Sequence, residues 1–282
     1  MADGLQNKKV AFIIQARMKS TRLPGKILMP LPFGDKVPLI GRIIENLQKS
    51  TSNHQIIVAT SDRSENDVLI SVCDNYNVTC FRGSEEDVLS RFTAIIADSD
   101  FDVVVRLTAD NPLLDISLLD KTLQEHVISG ADYTATQGLP LGMNFEVVSA
   151  KALLSLSHQN LNSDDKEHVT LFLKRSGLYQ LHYTKPCEDL YASVRVTVDY
   201  PADYLLTSAL YTLSISKGIP LGIDLIAYSM DNYAWLFDTN KYNFQKGNYP
   251  SLAEELKQVK PILEELEFKK TISLLASQMP DE

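Results

Sequence analysis

The 282-residue chain is poor in cysteine, with three, and has a single tryptophan. Cys73, Cys80 and Cys187 are odd in number, widely spaced and in no C-x-x-C pair. Neither a disulfide framework nor a zinc site is implied, and all three are expected as reduced core residues. No apolar run approaches the ~18–20 residues that span a bilayer, and residues 1–9 lack the apolar stretch of a signal peptide. A cytoplasmic protein with no membrane partner is expected. Positive charge is in deficit: 27 Lys and Arg stand against 36 Asp and Glu, a formal net charge of −9. That balance argues against a broad electrostatic footprint for nucleic acid, so an anionic ligand has to be met by a local basic cluster. Also missing are the phosphate-loop pattern G-x-x-x-x-G-K-[ST], the dinucleotide pattern G-x-G-x-x-G and the hydrolase elbow G-x-S-x-G. His54, His126, His158 and His182 form no metal-spaced pair.

What is present is the composition of an ordinary globular protein, 44% hydrophobic and 22% charged, which excludes a disordered or collagen-like chain. The first half alternates short β-rich runs with amphipathic helical patterns, the sign of a parallel sheet flanked by helices. Val10-Ala11-Phe12-Ile13-Ile14 reads as a buried strand, and Leu39, Ile40, Ile43, Ile44 and Leu47 recur at helical spacing. Further strands are expected at 56–60, 78–81 and 102–107, with helices near 64–76, 85–98 and 116–129. Beyond residue 130, strands near 131–135, 144–148, 178–184 and 192–198 interrupt helices near 150–158, 164–176 and 201–217. The expected fold is an α/β sheet with a small antiparallel insertion over residues 1–222, followed by a mostly helical appendage over 223–282. The aromatics Tyr228, Tyr233, Trp235, Phe237, Tyr242, Phe244 and Tyr249 of that appendage read as packing residues.

Three segments carry chemistry. The first, Gln15-Ala16-Arg17-Met18-Lys19-Ser20-Thr21-Arg22-Leu23-Pro24-Gly25-Lys26, places four cations in ten residues directly after the opening strand. Charge clustering alone reads as a solvated loop. Its position at the carboxyl end of a buried strand, where open α/β sheets bind ligands, favours a polyphosphate site instead. The second is Thr108-Ala109-Asp110-Asn111-Pro112, where Asp110 is a hard oxygen ligand suited to Mg²⁺ and Asp115 suits the cap of the following helix. The third is Thr197-Val198-Asp199-Tyr200-Pro201. Alone, Asp199 reads as a helix cap; paired with Asp110, it is a second carboxylate for one or two Mg²⁺ ions.

The run Ile13-Ile14-Gln15-Ala16-Arg17-Met18-x-Ser20-Thr21-Arg22-Leu23-Pro24-Gly25-Lys26 resembles the opening signature of the cytidylyltransferase family that includes CMP-KDO and CMP-sialic acid synthetases, and most of all its branch labelled spore coat polysaccharide biosynthesis protein F. Phe81-Arg82-Gly83-Ser84-Glu85-Glu86-Asp87-Val88-Leu89-Ser90-Arg91, Asp110-Asn111-Pro112, Glu167-His168-Val169-Thr170 and Thr197-Val198-Asp199 resemble that branch in the same order, over about residues 9–217. The resemblance implies a nucleotide-diphospho-sugar transferase-like fold, a homodimer, and Mg²⁺-dependent transfer of CMP from CTP with release of pyrophosphate. It further implies that Gln15, Ala16, Arg17, Ser20, Arg22, Lys26 and Asp110 line the CTP site and that Asp110 and Asp199 hold the metal. Arg82, Gly83, Ser84 and Arg91 are placed near the base and ribose. Ala109 stands where the family has glycine.

For the transfer itself, Arg17 and Lys26 are expected to stabilise phosphate charge while the two aspartates hold magnesium. The loop Pro140-Leu141-Gly142-Met143-Asn144-Phe145-Glu146 resembles the family's acceptor-facing loop, with Glu146 accepting bonds from hydroxyls; a plain surface turn is the other reading. Glu167 and His168 are acceptor candidates, against a satisfied histidine on a helix. Two function classes remain open. One is a cytidylyltransferase acting on a sugar acid or related polyhydroxy acceptor for a surface glycan. The other is a nucleotide-binding scaffold without turnover, with an intermediate case of another nucleotide or a phosphorylated acceptor.

Overall fold

A computed structural model describes residues 3–186, 191–243 and 251–278; Cys187, Phe244 and Tyr249 lie outside the described residues. After a short helix α1 (Asp3–Gln6), the strands β1 (Val10–Gln15), β2 (His54–Ser61), β3 (Thr79–Gly83) and β4 (Val103–Thr108) form the parallel half of one sheet. β5 (Tyr133–Thr136), β6 (Glu146–Ser149) and β7 (Leu181–Thr184) complete seven strands in the order β3-β2-β1-β4-β6-β5-β7. Only β6 runs antiparallel to its neighbours, bonded to β4 on one side and β5 on the other. The mostly parallel sheet with a small antiparallel portion is thus the one expected.

Alternate β1 residues serve two cores, as the two-residue period of a strand requires. Val10, Phe12 and Ile14 pack with helices α2 (Leu39–Leu47), α3 (Val68–Asn75), α5 (Ile116–Ser129), α9 (Pro201–Lys217) and α10 (Ile223–Tyr233). Ala11 and Ile13 pack on the other face with α4 (Val88–Ala97), α6 (Ala150–Ser155) and α8 (Leu171–Arg175). Helices on both faces leave the carboxyl ends of β1 and β4 as one open edge where loops meet.

Two expectations are corrected. Residues 192–198 form no strand, only an isolated parallel bridge between Leu141 and Arg195: Leu141 N donates to Val194 O (2.8 Å), Leu141 O accepts from Val196 N (2.8 Å) and Thr197 N (3.2 Å), and Val198 N donates to Asp110 O (2.8 Å). The run is buried because Val194, Val196 and Val198 enter the first core, which is what made it read as a strand. The helix expected over 164–176 splits into α7 (Ser163–His168) and α8 at Val169, whose φ of 58° and ψ of −56° make a three-residue turn closed by Thr170 N to His168 O. A β-branched residue there is strained, and burial of its side chain holds it in place. The first compact unit runs to Asn240, with Leu225, Ile226 and Leu236 in its core.

The second unit, from Lys241, contains α11 (Leu252–Glu265) and α12 (Lys269–Gln278). Ser251 caps α11 by accepting from Glu254 N, and Lys241 pairs with Glu265 inside the unit. No helix of the described residues is long and apolar enough to cross a membrane.

Candidate active site

The basic loop leaves β1 where register sets Gln15 beside Ala59 of β2 and Thr108 of β4. Ala16 is buried and its N–H donates to Ala59 O (3.1 Å), so the first turn of the loop is still tied to the sheet. Met18 N donates to the Asn66 side chain (2.8 Å), which in turn donates to Ser61 Oγ (2.7 Å). Asn66 is a buried loop anchor that nothing in the periodicity marks.

Lys26 is the centre of the constellation. Its ammonium is buried and donates to Asp110 Oδ2 (2.8 Å), Asp199 Oδ1 (2.9 Å) and Val198 O (2.7 Å), which uses all three of its hydrogens. Residues separated by 84 and 173 positions therefore meet on one nitrogen. Asp110 is oriented by Thr108, whose hydroxyl donates to Oδ1 at 2.6 Å. Asp199 also pairs with Arg22 (3.1 Å) and with Arg195 through Oδ2 (2.8 Å). Burial pushes the Asp199 carboxyl up, but Lys26, Arg195 and Arg22 together hold it below the usual aspartate range. Tyr200 lies between the guanidiniums of Arg22 and Arg195, with 4.8 and 5.9 Å from its ring centre.

Asp199 is not the helix cap. Asp203 does that work, accepting from Asp199 N and Tyr200 N at 2.9 Å each, so the Asp199 carboxylate is spent on the site. Asp115 does cap its helix, accepting from Leu118 N, and also accepts from Ile223 N.

A second positive group lies nearby. Arg91, on α4, is buried and bonded through Nη1 to Ala59 O (3.3 Å), with its Nε unpartnered. Burial, and then the charge of Arg17, lower its pKa. Among the described residues neither forms an ion pair with a carboxylate. The carboxylates of Glu85, Asp87 and Asp62 offset part of this positive charge from a distance. Gly83 makes room for Arg91, since a Cβ there would sit 2.8 Å from its Cγ. Arg82 is turned the other way, bonded to Asp62 O and paired with Asp67, and Ser84 Oγ accepts from Asp87 N; both hold loops. Ser20 Oγ accepts weakly from Leu23 N at 3.5 Å.

Glu146 is saturated by protein. Oε1 accepts from Tyr133 OH (2.7 Å), Thr170 Oγ1 (2.9 Å) and Lys174 Nζ (3.0 Å), and Oε2 from Arg106 Nη1 (2.6 Å). Arg106 reaches on to Gln15 Oε1 at 3.4 Å, so the carboxylate links β6 and the strained turn to the basic loop. Burial opposes ionisation, yet Arg106, Lys174 and Tyr133 bring Glu146 down to about 2. Of Glu167-His168-Val169-Thr170, the side chain delivered to this cluster is Thr170; Glu167 and His168 are exposed, and among the described contacts only the His168 carbonyl, which accepts from Thr170, reaches it.

The segments that carry Asp110 and Asp199 also contain Arg106, Thr108, Arg195 and Asp203, to which sequence reasoning gives no role, and it leaves Asn66 and Asn240 unmarked. Asp203 and Arg195 have a faint signal, an acid two residues after Pro201 and an arginine four before Asp199. Thr108 donates to Asp110 only two positions on, whereas Asn66, Arg106 and Asn240 meet partners remote in sequence.

A mixed sheet with cationic loop residues gathered over two aspartates at its carboxyl edge defines a nucleotidyltransferase. The chain belongs to the cytidylyltransferase family, whose model matches residues 11–215. It is 40% identical over 206 residues to the spore coat polysaccharide biosynthesis protein SpsF of Bacillus subtilis, covering 72% of this chain and 86% of that one. It is 29% identical over 172 residues to an 8-amino-3,8-dideoxy-manno-octulosonate cytidylyltransferase of Shewanella frigidimarina, covering 60% and 66% of the two chains. Among solved structures, a cytidylyltransferase from Leptospira borgpetersenii superposes with a TM-score of 0.75 at 25% identity, covering 86% of this chain and all of the other.

Proposed function

We propose that the protein transfers CMP from CTP, bound with Mg²⁺, to a sugar acid or related polyhydroxy acceptor, releasing pyrophosphate for assembly of a surface glycan. The observation that carries this reading is the Lys26 ammonium held between Asp110 and Asp199. A site that gathers two carboxylates onto one cation has the hard oxygen donors that suit Mg²⁺. No third Asp, Glu, His or Cys joins them among the described residues, so Asp110 and Asp199 would be the side chains that hold the ion, with its other ligands supplied from outside the protein. When bound, the ion supplies charge neutralisation on the triphosphate.

The residues do the rest by position and charge. Arg17, exposed on the loop, and the buried Arg91 supply positive charge for the phosphates, and Lys26 adds its own beside the two aspartates. The acceptor oxygen forms a bond to the α-phosphorus while the bond to the bridging oxygen breaks. Pyrophosphate leaves with that electron pair and the acceptor proton passes to water. In-line alignment and charge neutralisation suffice, so no protein nucleophile is used. Glu146 has four protein donors and serves as the post that holds Arg106, Thr170 and Lys174 rather than as a free acceptor ligand. The family likeness and the relatives' names support the cytidyl group and the glycan acceptor class. A cytoplasmic homodimer belongs to the same reading.

Thermal shift with CTP, UTP, ATP and GTP plus Mg²⁺ tests the nucleotide: CTP at 100 times its Kd adds about 2.7 kcal/mol. Stabilisation by UTP and not CTP sinks the cytidyl assignment. Pyrophosphate release over a panel of acidic sugars, polyols and their phosphates then finds the acceptor. Asp110→Asn and Asp199→Asn are each expected to lower that release at least about a hundredfold. Full Mg²⁺-dependent release by both variants would contradict the metal assignment, and CTP binding without release from any acceptor would favour a scaffold.

A further inference from the structure

The family-matched residues end at 215, yet a side chain 25 positions further on enters the site. Asn240 closes the short helix Ala234–Asn240 and is 3% exposed. Its Nδ2 donates to Arg195 O (3.0 Å) and to Asp203 Oδ1 (2.8 Å). Both neighbours only accept, so the amide nitrogen is the end that must face them. Arg195 and Asp203 hold Asp199 from the side away from Lys26 Nζ, through Oδ2 and the backbone N–H. Arg195 donates from Nε to Asp203 Oδ1 (3.1 Å) and from Nη2 to Asp199 Oδ2 (2.8 Å), while Asp203 Oδ2 accepts from Asp199 N. One amide thus ties together the main chain of Arg195 and the carboxylate that holds both its guanidinium and the Asp199 backbone.

We propose that Asn240 is a positioning residue for the transfer reaction: it clamps Arg195 and Asp203 and thereby aims the Asp199 carboxylate at Asp110 and Lys26. Residues 223–240 are then part of the catalytic unit and not an appendage to it. The proposal rests on the reading of Asp199 as a metal ligand. A purely structural Asn240 would stabilise the fold and leave metal affinity unchanged, and that difference is measurable.

The test uses the full-length chain and Mn²⁺ as the probe, with CTP present and binding followed by electron paramagnetic resonance. Asn240→Asp sets a carboxylate against a carbonyl oxygen and a second carboxylate; Asn240→Ala removes both bonds without adding charge. Each is expected to weaken Mn²⁺ binding roughly tenfold or more, the factor that follows from losing a buried bond to a charged group. Excess Mn²⁺ is expected to restore CTP-dependent thermal stabilisation, a rescue that a general packing defect would not show. Should Asn240→Asp fail to fold, Asn240→Ala alone decides. Wild-type Mn²⁺ affinity in the folded Asn240 variants, with weak affinity in Asp199→Asn, overturns the proposal alone. Wild-type affinity in Asp199→Asn removes the reading beneath it as well.

Discussion

At Glu146 a buried carboxylate is held ionised by two cations and two hydroxyls, and its pKa falls from 4.5 to about 2. A depressed carboxyl contributes stability that is complete above its unfolded pKa and is lost as pH falls through the folded one. Glu146→Gln is therefore expected to destabilise by on the order of 3 kcal/mol at pH 7, with the gap to wild type closing between about pH 4.5 and 2. Urea unfolding at pH 7 and pH 3 checks this, and a gap of constant size would refute it. Lys26 carries the complementary prediction. Lys26→Met leaves Asp110 and Asp199 facing each other with part of their compensation gone, at a cost of about 3 kcal/mol. The same change is expected to raise Mn²⁺ affinity without nucleotide, since the ammonium no longer competes for the two carboxylates, while nucleotide turnover falls. Reduced Mn²⁺ binding in that variant would show that the ammonium and the ion do not share the site.

Among the elements, the extended run over residues 192–198 has the most demanding placement. It is held by backbone bonds to both the N–H and the carbonyl of Leu141 and by one to Asp110 O, and Gly142 allows the approach. A Cβ at Gly142 would lie 2.6 Å from Thr197 N and 2.9 Å from its Cα, and the residue's φ is 103°. Gly142→Ala is expected to destabilise by about 2 kcal/mol or more and to cut turnover, because backbone must move and the same run ends at Asp199. Guanidinium unfolding together with pyrophosphate release is the check; loss of stability with turnover intact would separate the run from the site. The loop Pro140-Leu141-Gly142 read as either turn or acceptor contact. Its Leu141 hydrogen bonds show it supporting the 192–198 run.

For the molecule as a whole, the boundary at Asn240 is open to direct trial. Leu225 and Ile226 are fully buried, and burial of such side chains contributes roughly 1.5–3 kcal/mol each. A chain ending at 240 is expected to keep a cooperative thermal transition by circular dichroism, whereas one ending at 222 is expected to lose it. Equal melting of the two would restore the earlier boundary.

The local sequence determined the elements and the chemistry of each: continuous apolar runs made the central strands, 3.6-residue spacing made their helices, and a cationic loop after one strand, an aspartate after another and a second aspartate after an apolar run stood in plain view. Those signals are legible because they depend on residues a few positions apart. Tertiary structure alone decided which groups meet. The Lys26 contacts, the saturation of Glu146, the release of Asp199 from capping and the reach of Asn240 into the site depend on partners up to 173 residues distant. Spacing along a chain carries no information about such encounters, because the packing of separate elements brings them about.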